Sequence, residues 1–288
     1  MRIGFALAIG CLVSVPAVGQ SIHPRFSPDD QSVVFYNRTD NTASVELIDL
    51  ASGEQRTLLS DDGYYGNPGF IGDSSDIVLA GSLDGMRGGW DVFRLRSDGS
   101  LVQMINTPQR EMHASASPLG NAIVFVRFDD DGANLIELDI ESGDERALTV
   151  GNARNFHPKY SVDGRRIVFD RTMDDATGVF QIDLLTGEAS PLYFYPDGSV
   201  RAFAPALSPD GEFLALVRMD ESGTHLVIHN LESGHDHTLL SSESGLGGPH
   251  WSSDGSLLVY HHQVEAGFQI EMVDVASGSI TVLAAPDE

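Results

Sequence analysis

Residues 157–170 read His-Pro-Lys-Tyr-Ser-Val-Asp-Gly-Arg-Arg-Ile-Val-Phe-Asp, and degenerate copies of this stretch recur along the whole chain. Aligned on Pro158, the other copies begin at Pro24, Pro68, Ala114, Pro205 and Pro249. Successive copies are therefore 44, 46, 44, 47 and 44 residues apart. A repeat of this length that contains several short strands is typical of a β-propeller, in which each repeat forms one blade. We therefore predict an all-β protein, a six-bladed β-propeller.

Each repeat contains four short apolar stretches separated by turn residues, which predicts four antiparallel strands per blade. Asp-Gly pairs such as Asp163-Gly164 predict a tight turn between the first and second strands. Ser-Gly pairs such as Ser52-Gly53 predict another turn between the third and fourth strands. We expect one propeller over residues 20–288, with blades at about 22–62, 63–108, 109–152, 153–198, 199–243 and 244–286.

The chain is strongly acidic, with 42 Asp and Glu against 17 Lys and Arg and a formal net charge of −25. Such a charge repels phosphate backbones and anionic lipid headgroups. We therefore expect no nucleic-acid partner and no membrane insertion.

Residues 1–19 have the pattern of an export signal. Met1-Arg2 forms a charged start, an apolar run follows from Ile3 to Val15, and small residues precede Gln20. The sequence thus predicts export, and we expect the bacterial periplasm as the destination. Cys11, the only cysteine, lies within this segment, where lipidation is an open alternative to simple cleavage.

Several repeat motifs resemble the WD-like repeats of TolB-type propellers. These motifs are Phe-Ser-Pro-Asp-Asp at 26–30, Leu-Ser-Pro-Asp-Gly at 207–211, Ile-Val-Phe-Asp at 167–170 and the segment 182–188. The resemblance covers nearly all of residues 20–288 and implies a six-bladed propeller. Similar repeats occur in the TolB translocation protein, in oligogalacturonate lyases and in the propeller domains of prolyl-oligopeptidase-type enzymes, so it leaves the function open.

Basic residues recur at two positions of the repeat that we expect near the mouth of the axial channel. Four places before the aligned residue, three consecutive repeats carry Arg110, Arg154 and Arg201. Directly before the aligned residue, three repeats carry His23, His113 and His157. Guanidinium groups that converge in a shielded site bind carboxylates strongly, whereas exposed ones contribute little. We therefore hypothesise an anion-accepting channel mouth; the alternative is that the arginines pair with acidic residues of neighbouring loops.

Two functions remain open on this pattern. The first is a non-enzymatic binding module whose channel mouth receives a protein or peptide partner, or an acidic small ligand. The second is a lyase or hydrolase acting on acidic oligosaccharides, in which the arginines neutralise the sugar carboxylate. The proton is then moved either by a channel histidine or by water on a divalent metal held by His23, His113 and His157. We expect no cofactor in the first case. Whether the chain is an enzyme is left open here.

Overall fold

A computed structural model of the protein describes residues 20–38, 43–61, 63–84 and 89–286. The predicted export signal at 1–19, including Cys11, lies outside these residues. All regular secondary structure in the described residues is β-strand. Across those same residues, no helix is long and apolar enough to cross a membrane.

In the described ranges, twenty-four strands follow one another in sets of four. The first two sets are β1 (Gln20–Phe26), β2 (Ser32–Arg38), β3 (Ala43–Asp49), β4 (Gln55–Asp61), β5 (Tyr64–Phe70), β6 (Ile77–Ser82), β7 (Asp91–Leu95) and β8 (Leu101–Gln103). The next two are β9 (Arg110–Ala116), β10 (Ala122–Phe128), β11 (Ala133–Asp139), β12 (Glu145–Ala147), β13 (Arg154–Tyr160), β14 (Arg166–Met173), β15 (Ala176–Asp183) and β16 (Ala189–Tyr193). The last two are β17 (Arg201–Leu207), β18 (Phe213–Asp220), β19 (Gly223–Asn230), β20 (Asp236–Ser242), β21 (Leu246–Trp251), β22 (Leu257–Val264), β23 (Gly267–Asp274) and β24 (Ile280–Ala284).

Within each set, consecutive strands pair antiparallel, as the sequence predicts. The described strands nevertheless form five hydrogen-bonded sheets rather than six, because the third and fourth sets are joined into one sheet of eight strands. The junction is a single parallel pair, Ala133 opposite Arg154. It forms because the Ala133 N–H donates to the Ala153 carbonyl, and the Asn155 side chain donates to the Ala133 carbonyl at 2.7 Å.

The predicted turns have the backbone conformation that their glycines require. Gly164 has φ of 67° between the first and second strands of its set, and Gly53 has φ of 71° between the third and fourth. In the first of these turns, the Ser161 hydroxyl donates to Asp163 at 2.6 Å and accepts the Arg166 N–H at 3.0 Å. These bonds satisfy polar groups that the tight turn would leave unpaired.

Every first strand carries a bulge at the same position of the repeat. The residue before the aligned proline or alanine has a positive φ in all six sets: His23, Asn67, His113, His157, Ala204 and Gly248. The pairing register between first and second strands shifts at each of these places. A bulge changes which side chains point to a given face of a strand, so it decides which residues face the axis.

The core lies between successive sets of strands rather than within one of them. Six clusters of buried apolar side chains each combine residues from two neighbouring sets. One of the six joins the last set to the first, with Phe35 and Phe26 packed against Val259 and Ile270. In the described residues, side-chain packing therefore connects the two ends of the chain without a shared strand.

Candidate functional site

A cavity of about 300 Å³ lies where the six first strands converge. It is lined by the second half of each first strand and by the turn that follows it. The position one residue after the aligned proline or alanine contributes from every set: Arg25, Gly69, Ser115, Lys159, Ala206 and His250. The cavity opens to solvent beside exposed turn residues such as Asp73, Val162 and Ser253.

Three of these six side chains are basic and form the floor of the cavity. Arg25 is 8% exposed and Lys159 is 6% exposed. The Lys159 ammonium donates to the Pro249 carbonyl at 2.6 Å, and His250 Nδ1 accepts the Phe26 N–H at 3.3 Å. Among the described residues, no ion pair joins Arg25 or Lys159 to a carboxylate. In the described residues, the floor therefore holds buried basic groups that no carboxylate contacts directly.

Burial and mutual repulsion both disfavour the positive charges of the three basic groups at the floor. Burial lowers the pKa of Arg25 to about 10, so this group stays charged at neutral pH. Burial, and then the charge of Arg25, hold the pKa of Lys159 well below 10.5, while Asp170 acts in the opposite direction. Burial, followed by Arg25 and Lys159, likewise lowers the pKa of His250. An anion bound here would relieve this repulsion.

The walls above the floor are apolar, and the rim is acidic. The next residue of each first strand supplies the wall: Phe26, Phe70, Ala116, Tyr160, Leu207 and Trp251. The Trp251 indole N–H is held by the Ala206 carbonyl at 3.0 Å, so its ring presents an apolar face. At the rim lie the carboxylates Asp30 and Asp73, and Asp30 accepts the Ser253 N–H at 2.8 Å.

The three predicted histidines lie together on the other side of the basic floor. The ring centroids of His113 and His157 are 4.3 Å apart, and His23 is 6.4 Å and 6.2 Å from them. His261, which the repeat comparison missed, lies 5.5 Å from His23. It could have been found, because His261 in β22 occupies the repeat position that Asp170 occupies in β14.

These histidines are held by burial and by hydrogen bonds. His157 Nδ1 lies 2.7 Å from Asp170, which also accepts the Ala204 N–H at 3.0 Å. Burial, and then neighbouring imidazoles, lower the pKa of His23 and of His113 well below 6.5 and that of His261 to about 3. Within the described residues, no group of three or more His, Cys, Asp or Glu side chains is arranged to hold a metal ion.

The three predicted arginines lie at the opposite end of the first strands. Arg110, Arg154 and Arg201 are the first residues of β9, β13 and β17, and all are exposed. Arg110 stacks on Trp90, with its guanidinium carbon 4.9 Å from the ring centroid. None of the three lines the 300 Å³ cavity. Arg154 and Lys159 begin and nearly end one strand, at most about 17 Å apart at 3.3 Å per residue.

The repeated antiparallel sheets, packed side by side around an axial cavity, are the architecture of a β-propeller domain. A family model described as "TolB beta propeller domain" matches residues 12–201. The chain belongs to the TolB β-propeller family. A search of curated proteins adds an uncharacterized protein from Agrobacterium fabrum, 28% identical over 107 residues, which are 37% of this chain and 36% of that protein.

Solved structures with the same fold include two TolB proteins and a lyase. TolB from Acinetobacter baumannii superposes with a TM-score of 0.75 at 16% identity, over 91% of this chain and 65% of its own length. A putative TolB from Agrobacterium tumefaciens gives 0.64 at 20% identity, over 84% and 88%. An oligogalacturonate lyase in complex with manganese gives 0.63 at 16% identity, over 93% and 78%. Identities this low establish a shared fold alone.

Proposed function

We propose that this protein is an exported, non-enzymatic binding module, a closed six-bladed propeller that accepts a carboxylate of a protein or peptide partner in its axial cavity. Closure is supported by the six apolar clusters, each of which joins neighbouring sets of strands, including the last and the first. Export to the periplasm is supported by the charged and apolar pattern of residues 1–19.

The observation that carries the proposal is the basic floor of the cavity. Arg25 and Lys159 are more than nine-tenths buried and form no ion pair with a carboxylate in the described part of the chain. Burying charged groups without a counter-charge in contact is unfavourable, and such groups in a cleft mark a candidate ligand site. A carboxylate at this depth forms charge-assisted hydrogen bonds shielded from water, which are the strong ones.

The exposed arginines have a smaller role in this proposal. The sequence predicts an anion-accepting mouth built from Arg110, Arg154 and Arg201 with His23, His113 and His157. The three arginines lie at the end of the first strands opposite the cavity. Because the arginines are exposed, each contributes about 0–1 kcal/mol to an ion pair, against about 1.5–3 kcal/mol for a shielded one. We assign them to long-range attraction of an anionic partner rather than to holding it.

Carboxylate binding is expected to raise the thermal stability of the wild-type protein. Binding at a ligand concentration one hundred times Kd adds about 2.7 kcal/mol to the free energy of unfolding, which is about 5 °C or more in Tm. The probes are hexapeptides that carry a carboxylate, either internal or C-terminal, measured at constant ionic strength. Arg25→Met should abolish the shift, whereas Arg154→Met, the matched control on the other face, should keep most of it. No shift in the wild type, or an equal shift in Arg25→Met, would contradict the proposal.

A second candidate function, cleavage of acidic oligosaccharides, is favoured by the convergence of His23, His113 and His157 and by the His157–Asp170 contact. An imidazole beside a buried carboxylate is suited to general acid or base chemistry. The test is incubation with oligogalacturonate, with and without Mn²⁺, comparing wild type with His157→Gln. Release of new sugar ends by the wild type, lost in the variant, would favour the enzyme over the binding module.

A further inference from the structure

The depth of the axial cavity limits which carboxylate can reach its floor. Lys159 lies at the floor, and Val162, three residues further along the chain, is exposed at the opening. Because β13 ends at Tyr160 and Val162 already lies in the following turn, the floor is at most about 10 Å below the rim at 3.3 Å per residue. An aspartate or glutamate side chain on a partner whose main chain stays at the rim is too short to span this depth. A chain end, in contrast, can enter together with its main chain.

Charge changes sign along the cavity, from positive at the floor to negative at the rim. Arg25, Lys159 and His250 lie at the floor, whereas Asp30 and Asp73 lie at the opening. A ligand with carboxylates along its whole length would meet repulsion at the rim. A ligand with one terminal carboxylate and a neutral or basic body matches both ends of the cavity.

The wall between floor and rim is suited to an extended peptide. Phe26, Tyr160 and Trp251 surround the path with aromatic side chains, and Leu207 adds an aliphatic one. Ligand cavities of this kind combine apolar walls with a few polar groups that fix the orientation of the ligand. Here the Arg25 guanidinium and the N–H groups of Lys159 that are not bonded to Pro249 are the donors at the closed end.

We propose that the cavity captures the C-terminal carboxylate of an extended peptide, whose last side chains contact the aromatic wall and whose preceding residues are neutral or basic. This inference rests on the proposed binding function and names its ligand. The free carboxylate meets Arg25 and Lys159, and a basic residue a few places earlier meets Asp30 and Asp73. Binding of a chain end also fixes the direction in which the peptide runs along the cavity, since only one orientation satisfies both the basic floor and the acidic rim.

The test compares three acetylated hexapeptides by calorimetric titration of the intact protein. The first has neutral side chains and a free C-terminal carboxylate, the second is its C-terminal amide, and the third is an amide with one internal glutamate. We expect the first to bind at least tenfold more tightly than the other two. Placing an arginine three residues before the free carboxylate should tighten binding further, and an aspartate there should weaken it.

Two variants test whether the carboxylate of the peptide binds at the floor of the cavity. Lys159→Met should weaken binding of the first peptide at least tenfold, whereas Arg56→Met, an exposed arginine of the outer strand β4, should leave it within twofold. Circular dichroism and Tm confirm that each variant is folded. Hexanoate serves as a free organic acid, and binding as tight as that of the peptide would overturn the assignment to a peptide end.

The outcomes separate this inference from the function on which it rests. If the amidated glutamate peptide binds as tightly as the free-acid peptide, the cavity accepts carboxylates but does not select chain ends, and the inference is wrong. If none of the peptides or hexanoate binds, the carboxylate-binding function is wrong as well. Equal binding of the free-acid peptide and its amide also rejects the inference, because the floor would then make no contact with the terminal charge.

Discussion

Between pH 7 and pH 5 the protein is expected to lose about 4 kcal/mol or more of its free energy of unfolding. Four partly buried histidines have a folded-state pKa below the usual 6.5: His23, His113, His250 and His261. As the pH falls through 6.5, the unfolded chain takes up protons that the folded chain excludes. Each histidine then lowers stability by up to about 1.4 kcal/mol per pH unit, until the pH reaches its folded-state pKa.

The imidazoles and basic groups around these histidines also lower the histidine pKa values. His23 faces His261, His157, His113 and Arg25, so protonation of one imidazole makes the next less favourable. His250 faces Arg25 and Lys159. Carboxylates with a lowered pKa, such as Asp254, lose their contribution to the free energy of unfolding only as the pH falls from about 3.8 towards 2. The loss between pH 7 and pH 5 is therefore assigned to the histidines.

Chemical denaturation at pH 7, 6 and 5, at constant ionic strength, measures this loss. The double variant His113→Gln/His261→Gln is expected to lose roughly half as much stability as the wild type over the same range. His235→Gln, an exposed histidine, is the matched control and should behave as the wild type. A free energy of unfolding that stays constant or rises on acidification to pH 5 would show that the imidazoles are not buried in neutral form.

Replacing Phe35 with alanine is expected to cost about 3–5 kcal/mol, as for other fully buried phenylalanines. Phe35 is 1% exposed and lies in the apolar cluster that joins the first and last sets of strands. This burial exists only if the two ends of the chain meet. In an open array the ring would already be in water, and its removal would cost little.

Phe125→Ala is the matched control for the cluster that joins the first and last sets of strands. Phe125 is fully buried in the cluster between the second and third sets, which are neighbours in the sequence and pack together in a closed or an open array. Denaturant unfolding of both variants should give similar losses. A loss below about 1 kcal/mol for Phe35→Ala, beside a full loss for Phe125→Ala, would indicate that the first and last sets are apart in solution.

Much of the architecture follows from the sequence because the repeat is explicit. The Asp-Gly and Ser-Gly pairs give the turns, and the apolar stretches give the strands between them. The number of separate sheets was not predictable, since it depends on one main-chain contact, Ala133 with Arg154, that no repeat pattern encodes. The convergence of His23, His113 and His157 follows from their shared repeat position once that position faces the axis.

The basic floor was harder to predict, although Arg25, Lys159 and His250 share one repeat position. Side chains of a regular strand alternate between faces, so the position alone does not tell whether they point to the axis or into a neighbour. The bulge at the preceding residue, such as His157 with φ of 48°, changes this alternation. The exposed arginines were the more visible pattern in the sequence, but none of them lines the cavity.

Lys159 is the only lysine in the sequence, so it can be observed alone. With ¹³C at lysine Cε, an NMR titration gives one signal that reports the protonation of this side chain. In the empty protein its pKa should lie well below 10.5, because the group is buried and faces Arg25, His250 and His261, with Asp170 opposing them only in part. The peptide with a free C-terminal carboxylate should raise that pKa, and its amide should not. A pKa at the ordinary 10.5 that no peptide changes would mean that the floor is neither buried nor a binding site.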